Sequence, residues 1–138
     1  MAASAPNFDN IRLGGPDGLR YPMELAPATF AVTTAPTYYT AAGAIPVAGG
    51  GGTYVINGAG ALAMTLAAPT KAQDNMVLTI VAGTAHAHTV TTPANKINGA
   101  DDTVTYAAIG DSVVLRAING IWMAISLGGP TPAILSEV

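Results

Sequence analysis

The chain has 138 residues, half of them apolar and only 9% charged, with a formal net charge of −3. Its basic residues, Arg12, Arg20, Lys71, Lys96 and Arg116, are scattered, which excludes the clustered cations that release counterions from nucleic acid. No apolar run reaches the roughly 18 residues of a membrane span, and the absence of cysteine excludes disulfides and thiolate chemistry.

The length suits one domain with an arm or tail outside it. Soluble domains usually carry roughly 25% charged residues. So poor a supply of charge leaves two readings: a surface shared with partners, or one made polar by Thr, Ser and Gly. The first residues, Met-Ala-Ala-Ser-Ala-Pro-Asn-Phe-Asp, have neither the basic start nor the apolar stretch of a secretory signal. Synthesis in the cytoplasm is therefore expected.

Residues 1–36 differ from the rest. Pro6, Pro16, Pro22, Pro27 and Pro36 recur too closely for a helix, and Gly14-Gly15-Pro16-Asp17-Gly18 is a cluster of turn formers. Phe8, Ile11, Leu13, Leu19, Tyr21, Met23 and Leu25 nevertheless supply apolar anchors at regular intervals, more than a disordered tail would carry. An extended arm lying along a surface, its own or a neighbour's, is expected here. These seven residues are interface candidates.

A first strand is expected within residues 32–40, rich in Thr, Tyr and Val. The run Gly49-Gly50-Gly51-Gly52 lacks a following Lys-Ser/Thr and so is a turn, not a phosphate-binding loop. Strands are expected over 53–56, 61–67, 76–82, 86–92 and 103–109. Pro69, Gly83, Pro93, Asn98-Gly99 and Gly110-Asp111 punctuate them, and 70–75 offers at most one helical turn. No apolar period of 3.6 residues extends over ten positions. Short strands at roughly 8–12-residue spacing indicate an all-β sandwich or barrel; the expectation adopted is an antiparallel β-sandwich over 37–129, with 130–138 as a short tail.

The most informative stretch runs from Ser112 to Leu127. Two apolar runs flank Asn119-Gly120, the strongest short-range hairpin signal, because both central residues of a type I′ turn need positive φ. A two-residue loop pairs Ile118 with Ile121, Arg116 with Met123 and Val114 with Ile125 on one side. Ala117 with Trp122, and Leu115 with Ala124, then share the other. Both sides are mostly apolar, whereas a sheet with one wet face alternates. The hairpin therefore requires cover on both faces: a second sheet of the same chain, and a neighbouring subunit. Trp122, opposite the small Ala117, reads as core or interface packing, and with Arg116 it joins the interface candidates.

The pattern from 61 to 129 resembles that of small tailed-bacteriophage virion proteins. The resemblance rests on Leu-Ala-Ala-Pro-Thr-Lys-Ala-Gln-Asp-Asn at 66–75, Leu-Thr-Ile at 78–80, Ala-His-Thr-Val-Thr-Thr at 87–92, and Gly-Asp-Ser-Val-Val-Leu-Arg-Ala-Ile-Asn-Gly-Ile-Trp at 110–122. It implies a jelly-roll-like β-sandwich, usually trimeric, in a head decoration (cement) protein or a tail-fibre or spike component. The short chain favours a decoration protein, whose partners would be the major capsid protein and two further copies of itself on the capsid exterior. No functional residue carries over from the resemblance.

Signs of site chemistry are sparse. His86 and His88 share one side of a strand and are candidate metal ligands, but no third ligand is evident nearby. Asp101, Asp102 and Asp111 lack EF-hand spacing and fit carboxylates capping turns. Gly-x-Ser-x-Gly is missing, and the only glutamates are Glu24 and Glu137. Neither an enzyme nor a cofactor is expected.

Overall fold

A computed structural model describes residues 35–47 and 50–138; the seven arm candidates from Phe8 to Leu25 lie outside these. The described chain is all-β. Its strands are β1 (Thr37–Tyr39), β2 (Ala44–Ile45), β3 (Gly51–Ile56), β4 (Ala63–Leu66), β5 (Val77–Ala82), β6 (Thr89–Thr91), β7 (Thr103–Thr105), β8 (Ser112–Ile118), β9 (Ile121–Gly128) and β10 (Ile134–Ser136). Among the described residues the one helical piece is a single 3-10 turn, Lys71–Gln73, where at most one turn was expected. Among the described residues no helix is long and apolar enough to cross a membrane.

Two five-stranded sheets form, in the order β1-β3-β5-β8-β9 (sheet I) and β10-β7-β6-β4-β2 (sheet II). The first six strands visit the sheets alternately, so no two consecutive ones pair. Instead β1, β3 and β5 lie parallel in sheet I, and β2, β4 and β6 lie parallel in sheet II. Antiparallel strands complete both: β8 and β9 beside β5, β7 and β10 beside β6. This corrects the antiparallel expectation, since four of the eight pairings among the described residues are parallel. It also corrects the tail, because Ile134–Ser136 pairs with β7 as the edge of sheet II.

Strict alternation drives each sheet's burial. Leu78, Ile80 and Ala82 of β5, and Val113, Leu115 and Ala117 of β8, turn into one core with Tyr54 and Ile56 of β3. Met64 and Leu66 of β4, Val90 of β6 and Val104 of β7 belong to the same core from sheet II. A fully buried Leu or Ile contributes about 1.5–3 kcal/mol relative to exposure.

The β8–β9 hairpin turns at Asn119 (φ 52°) and Gly120 (φ 78°), the double positive φ of a type I′ turn. Its register matches the expectation from Ile118–Ile121 to Leu115–Ala124, then departs from it: a bulge intervenes, and Val114 faces Ser126, not Ile125. The tip is fastened from outside the hairpin. Asn119 N–H donates to Asp74 Oδ1 (2.7 Å) and Lys71 Nζ donates to Asn119 Oδ1 (3.1 Å).

Two glycines test this geometry. A Cβ on Gly120 would meet nothing closer than 3.7 Å, so Gly120→Ala pays only for positive φ, about 1–2 kcal/mol. On Gly129 (φ 112°) a Cβ would sit 2.4 Å from Asp111 Cα, which forces the backbone apart. Urea unfolding is expected to show a clearly larger loss for Gly129→Ala than for Gly120→Ala.

Candidate interaction surface

The register places outward positions in rows across sheet I. Tyr38, Val55, Val81, Ser112 and Gly128 form one; Thr53, Thr79, Val114 and Ser126 the next; Gly51, Val77, Arg116 and Met123 a third, with Ile118 and Ile121 beyond. Eight of these are large apolar side chains and one is charged. Tyr38 is 62% exposed and Ile118 46%, and Ile125, displaced by the bulge at the sheet's edge, is 51% exposed. The central Val77, Val81 and Val114 are half-buried.

Arg116, the single charge, is half-buried, and its Nη1 donates to Asn75 Oδ1 (3.2 Å). Asn75 precedes β5, so the guanidinium is drawn toward the end of the sheet and away from its middle. The apolar stem lies along the face while the cation reaches the rim, as long basic side chains commonly do.

Sheet II presents a different outer face. Ala44, Thr65, Thr91, Thr103 and Ser136 share one row, and Ala63, Thr89, Thr105 and Ile134 the next. Threonines dominate it, with Thr103 buried among them and Ile134 65% exposed at the β10 edge. An apolar groove of about 380 Å³, lined among others by Ile45, Leu66 and Pro93, runs along its β2 end.

Trp122, by contrast, is not a surface residue. It is fully buried opposite Ala117, and its Nε1–H donates to the Ala67 carbonyl (2.9 Å) at the end of β4. Its backbone pairs with the 96–98 segment through Trp122 N–H to Lys96 O and Asn98 N–H to Trp122 O. Of the two readings for Trp122 the structure shows core packing and not an interface position: the side chain ties sheet I to the strand end of sheet II.

The histidines are likewise occupied. His88 is buried; Leu62 N–H donates to its Nδ1 (3.1 Å), which fixes the proton on Nε2, facing Thr84 Oγ1 at 2.9 Å. Thr84 Oγ1 in turn donates to Gly58 O (2.8 Å). Burial, and then the neighbouring His86, hold the His88 pKa below its ordinary 6.5. His86 stands edge-on to it, ring centroids 5.9 Å apart. With both His88 nitrogens engaged, the pair does not present two free ligands. Among the described residues no three His, Cys, Asp or Glu side chains gather in a metal-binding group.

The carboxylates fasten backbone. Asp111 Oδ2 accepts from Ala107 N–H (2.9 Å), Ala108 N–H (2.8 Å) and Thr131 Oγ1 (2.8 Å), and its Oδ1 accepts from Thr131 N–H (3.0 Å). Burial pushes its pKa up, but these hydrogen bonds outweigh it and hold the value down to about 2. Asp102 Oδ1 accepts from Thr103 Oγ1 (2.8 Å) and Val138 N–H (3.1 Å). Among the described residues the Tyr106 hydroxyl alone is a buried side-chain polar atom without a partner.

No known family model matches the chain, and no curated protein matches it.

Two pH effects follow from these groups. A lowered His88 value means that its stabilising contribution is complete above pH 6.5 and declines as pH falls below that point. Thermal midpoints are expected to drop between about pH 7 and pH 5, with a slope that His88→Gln flattens. A depressed Asp111 contributes fully above the ordinary 3.8 and loses its contribution as pH falls through about 2. Asp111→Asn is expected to lower the midpoint at neutral pH and to shrink the difference from wild type in acid, read by circular dichroism melts.

Proposed function

We propose that this protein is a decoration protein of a tailed-bacteriophage head, acting as a trimer that binds the capsid exterior and stabilises the shell without catalysing a reaction. The observation that carries this reading is the outer face of sheet I. One side of the β8–β9 hairpin is sealed by the core, and the other offers Val114, Ile118, Ile121 and Met123 with two serines and one charge, Arg116. A chain with so little charge to spend elsewhere belongs in an assembly.

The mechanism is mechanical. A trimer that contacts several capsid subunits at once gains avidity from its multiple attachments without new chemistry. The apolar anchors from Phe8 to Leu25 extend the contact, and expansion of the shell under internal pressure meets added resistance. Deleting residues 1–30 is expected to leave the trimer folded while weakening its co-sedimentation with capsids; undiminished co-sedimentation overturns the role of the anchors. In the virion, labelled antibody is expected over the head.

A second reading, a tail-fibre or spike component that binds a host receptor, draws support from the alternation of β1 to β6 between two sheets. Parallel strands wound in this way stack into elongated shafts. Label confined to the tail would favour it over the head.

A further inference from the structure

We propose that His88 is a proton-operated latch: when its ring takes up a second proton, the 57–62 connection between β3 and β4 lets go of the 83–89 segment, while the ladders of both sheets stay intact. This goes beyond the assembly reading above and depends on neither the capsid nor the trimer.

The latch is a hydrogen-bond chain with one direction. Leu62 N–H donates to Nδ1 of the ring (3.1 Å), Nε2–H donates to Thr84 Oγ1 (2.9 Å), and Thr84 Oγ1–H donates to the Gly58 carbonyl (2.8 Å). The chain begins and ends on the same connection, so one ring and one hydroxyl hold both of its ends. It runs only while the imidazole accepts at Nδ1 and donates at Nε2. An imidazolium donates at both nitrogens. A proton on Nδ1 therefore confronts the Leu62 N–H, donor against donor, and an amide N–H cannot turn acceptor to relieve it.

Little else holds the connection. Gly58 is buried and Leu62 half-buried, but Asn57, Ala59, Gly60 and Ala61 are exposed. A Cβ on Gly58 would sit 2.6 Å from Leu62 Cγ, so these two pack directly on each other and move as one. At the flanks Gly83 N–H donates to Ile56 O (2.8 Å) and Thr89 N–H to Leu62 O (2.9 Å), uncharged bonds that pH does not alter. Segments this exposed, with few apolar contacts, open locally at a fraction of the global free energy.

Among the described residues no neighbouring anion welcomes the added proton. The 57–62 connection has no titratable side chain, and neither have β4, β5 and β6. The 83–88 segment supplies His86, edge-on to the ring, which disfavours a second positive charge. After β7, Tyr106 donates its N–H to His88 O (2.9 Å), and burial keeps its phenol neutral. Asp74, Asp102 and Asp111 are each bonded elsewhere. Burial and then His86 thus hold the closed ring's pKa below 6.5. Release restores an ordinary imidazole, so acid favours the open form.

The test is amide hydrogen exchange of the intact protein by NMR, corrected for the intrinsic effect of pH on exchange. Between about pH 7.5 and about pH 5.5 the open form gains by up to about tenfold, and protection at Leu62 is expected to fall by that factor. Leu62 is also expected to be less protected than Ala117, which is bonded to Met76 O in the β5–β8 ladder. Its rate is expected to ignore dilute urea, since local opening exposes little surface. A Leu62 protection unmoved by acid, or equal to that of Ala117 at both pH values, overturns the inference.

Two variants assign the proton. His86→Ala is expected to keep the acid response of Leu62 and His88→Gln to lose it; the reverse pattern overturns the latch. Imidazole 15N shifts of the wild type supply a readout that needs no variant. They are expected to place the neutral ring's proton on Nε2, and a proton on Nδ1 overturns the chain even if His88→Gln fails to fold.

Discussion

The ladder between β5 and β8 is the joint on which the domain depends. Five residue pairs, from Val77–Arg116 to Val81–Ser112, unite a parallel half, built from strands that switch sheets, with a hairpin formed by neighbours in sequence. Its inward residues, Leu78, Ile80, Val113 and Leu115, are completely buried, and its outward residues form the middle of the exposed face. One ladder thus fixes the core and the interaction surface together. Bonds at its end, Asn75 N–H to Ala117 O and Ala117 N–H to Met76 O, both 2.8 Å, hold the chain in place as it enters β5.

Apolar runs bounded by Gly, Pro and Asn-Gly made most strands readable. Thr-Tyr-Val-Ile, Met-Val-Leu-Thr-Ile-Val-Ala and the two arms of the Asn-Gly hairpin are mostly apolar on both sides, so each such run reports a strand. It does not report the neighbour. Tyr54 lies beside Ile80 in parallel rather than beside a hairpin mate, and nothing local encodes that choice. β2 and β10 escaped because two or three residues are too few for a pattern. The bulge between Val114 and Leu115 escaped because Ile125 looks like any other apolar strand residue.

The site residues divide in the same way. Arg116 and the two apolar faces of the hairpin were legible, since side-chain alternation alone defines them. The occupation of His88 was not: its Nδ1 is held by the backbone of Leu62, a partner that only the winding brings near. Trp122 was recognisable as an anchor, but its indole bond to Ala67 depends on the second sheet arriving beneath it. Asp111 sits in an obvious turn, yet its further donor, Thr131, comes from beyond the hairpin.

The alternation of β1 to β6 between sheets also sets the order in which the chain acquires structure. Each parallel ladder closes a loop of about twenty residues before any pairing rewards it, and such closure costs entropy that grows with length. Only β8 and β9 meet across two residues, so the hairpin is the cheapest pairing to form. In the sheet β5 borders the hairpin, β3 borders β5 and β1 borders β3, each joined by a longer loop than the hairpin's. Contacts this distant in sequence belong to slow folders. Until the last strands are in place, β5 presents an uncharged open edge, so the growing sheet I is most exposed to mispairing with other chains while it is still incomplete.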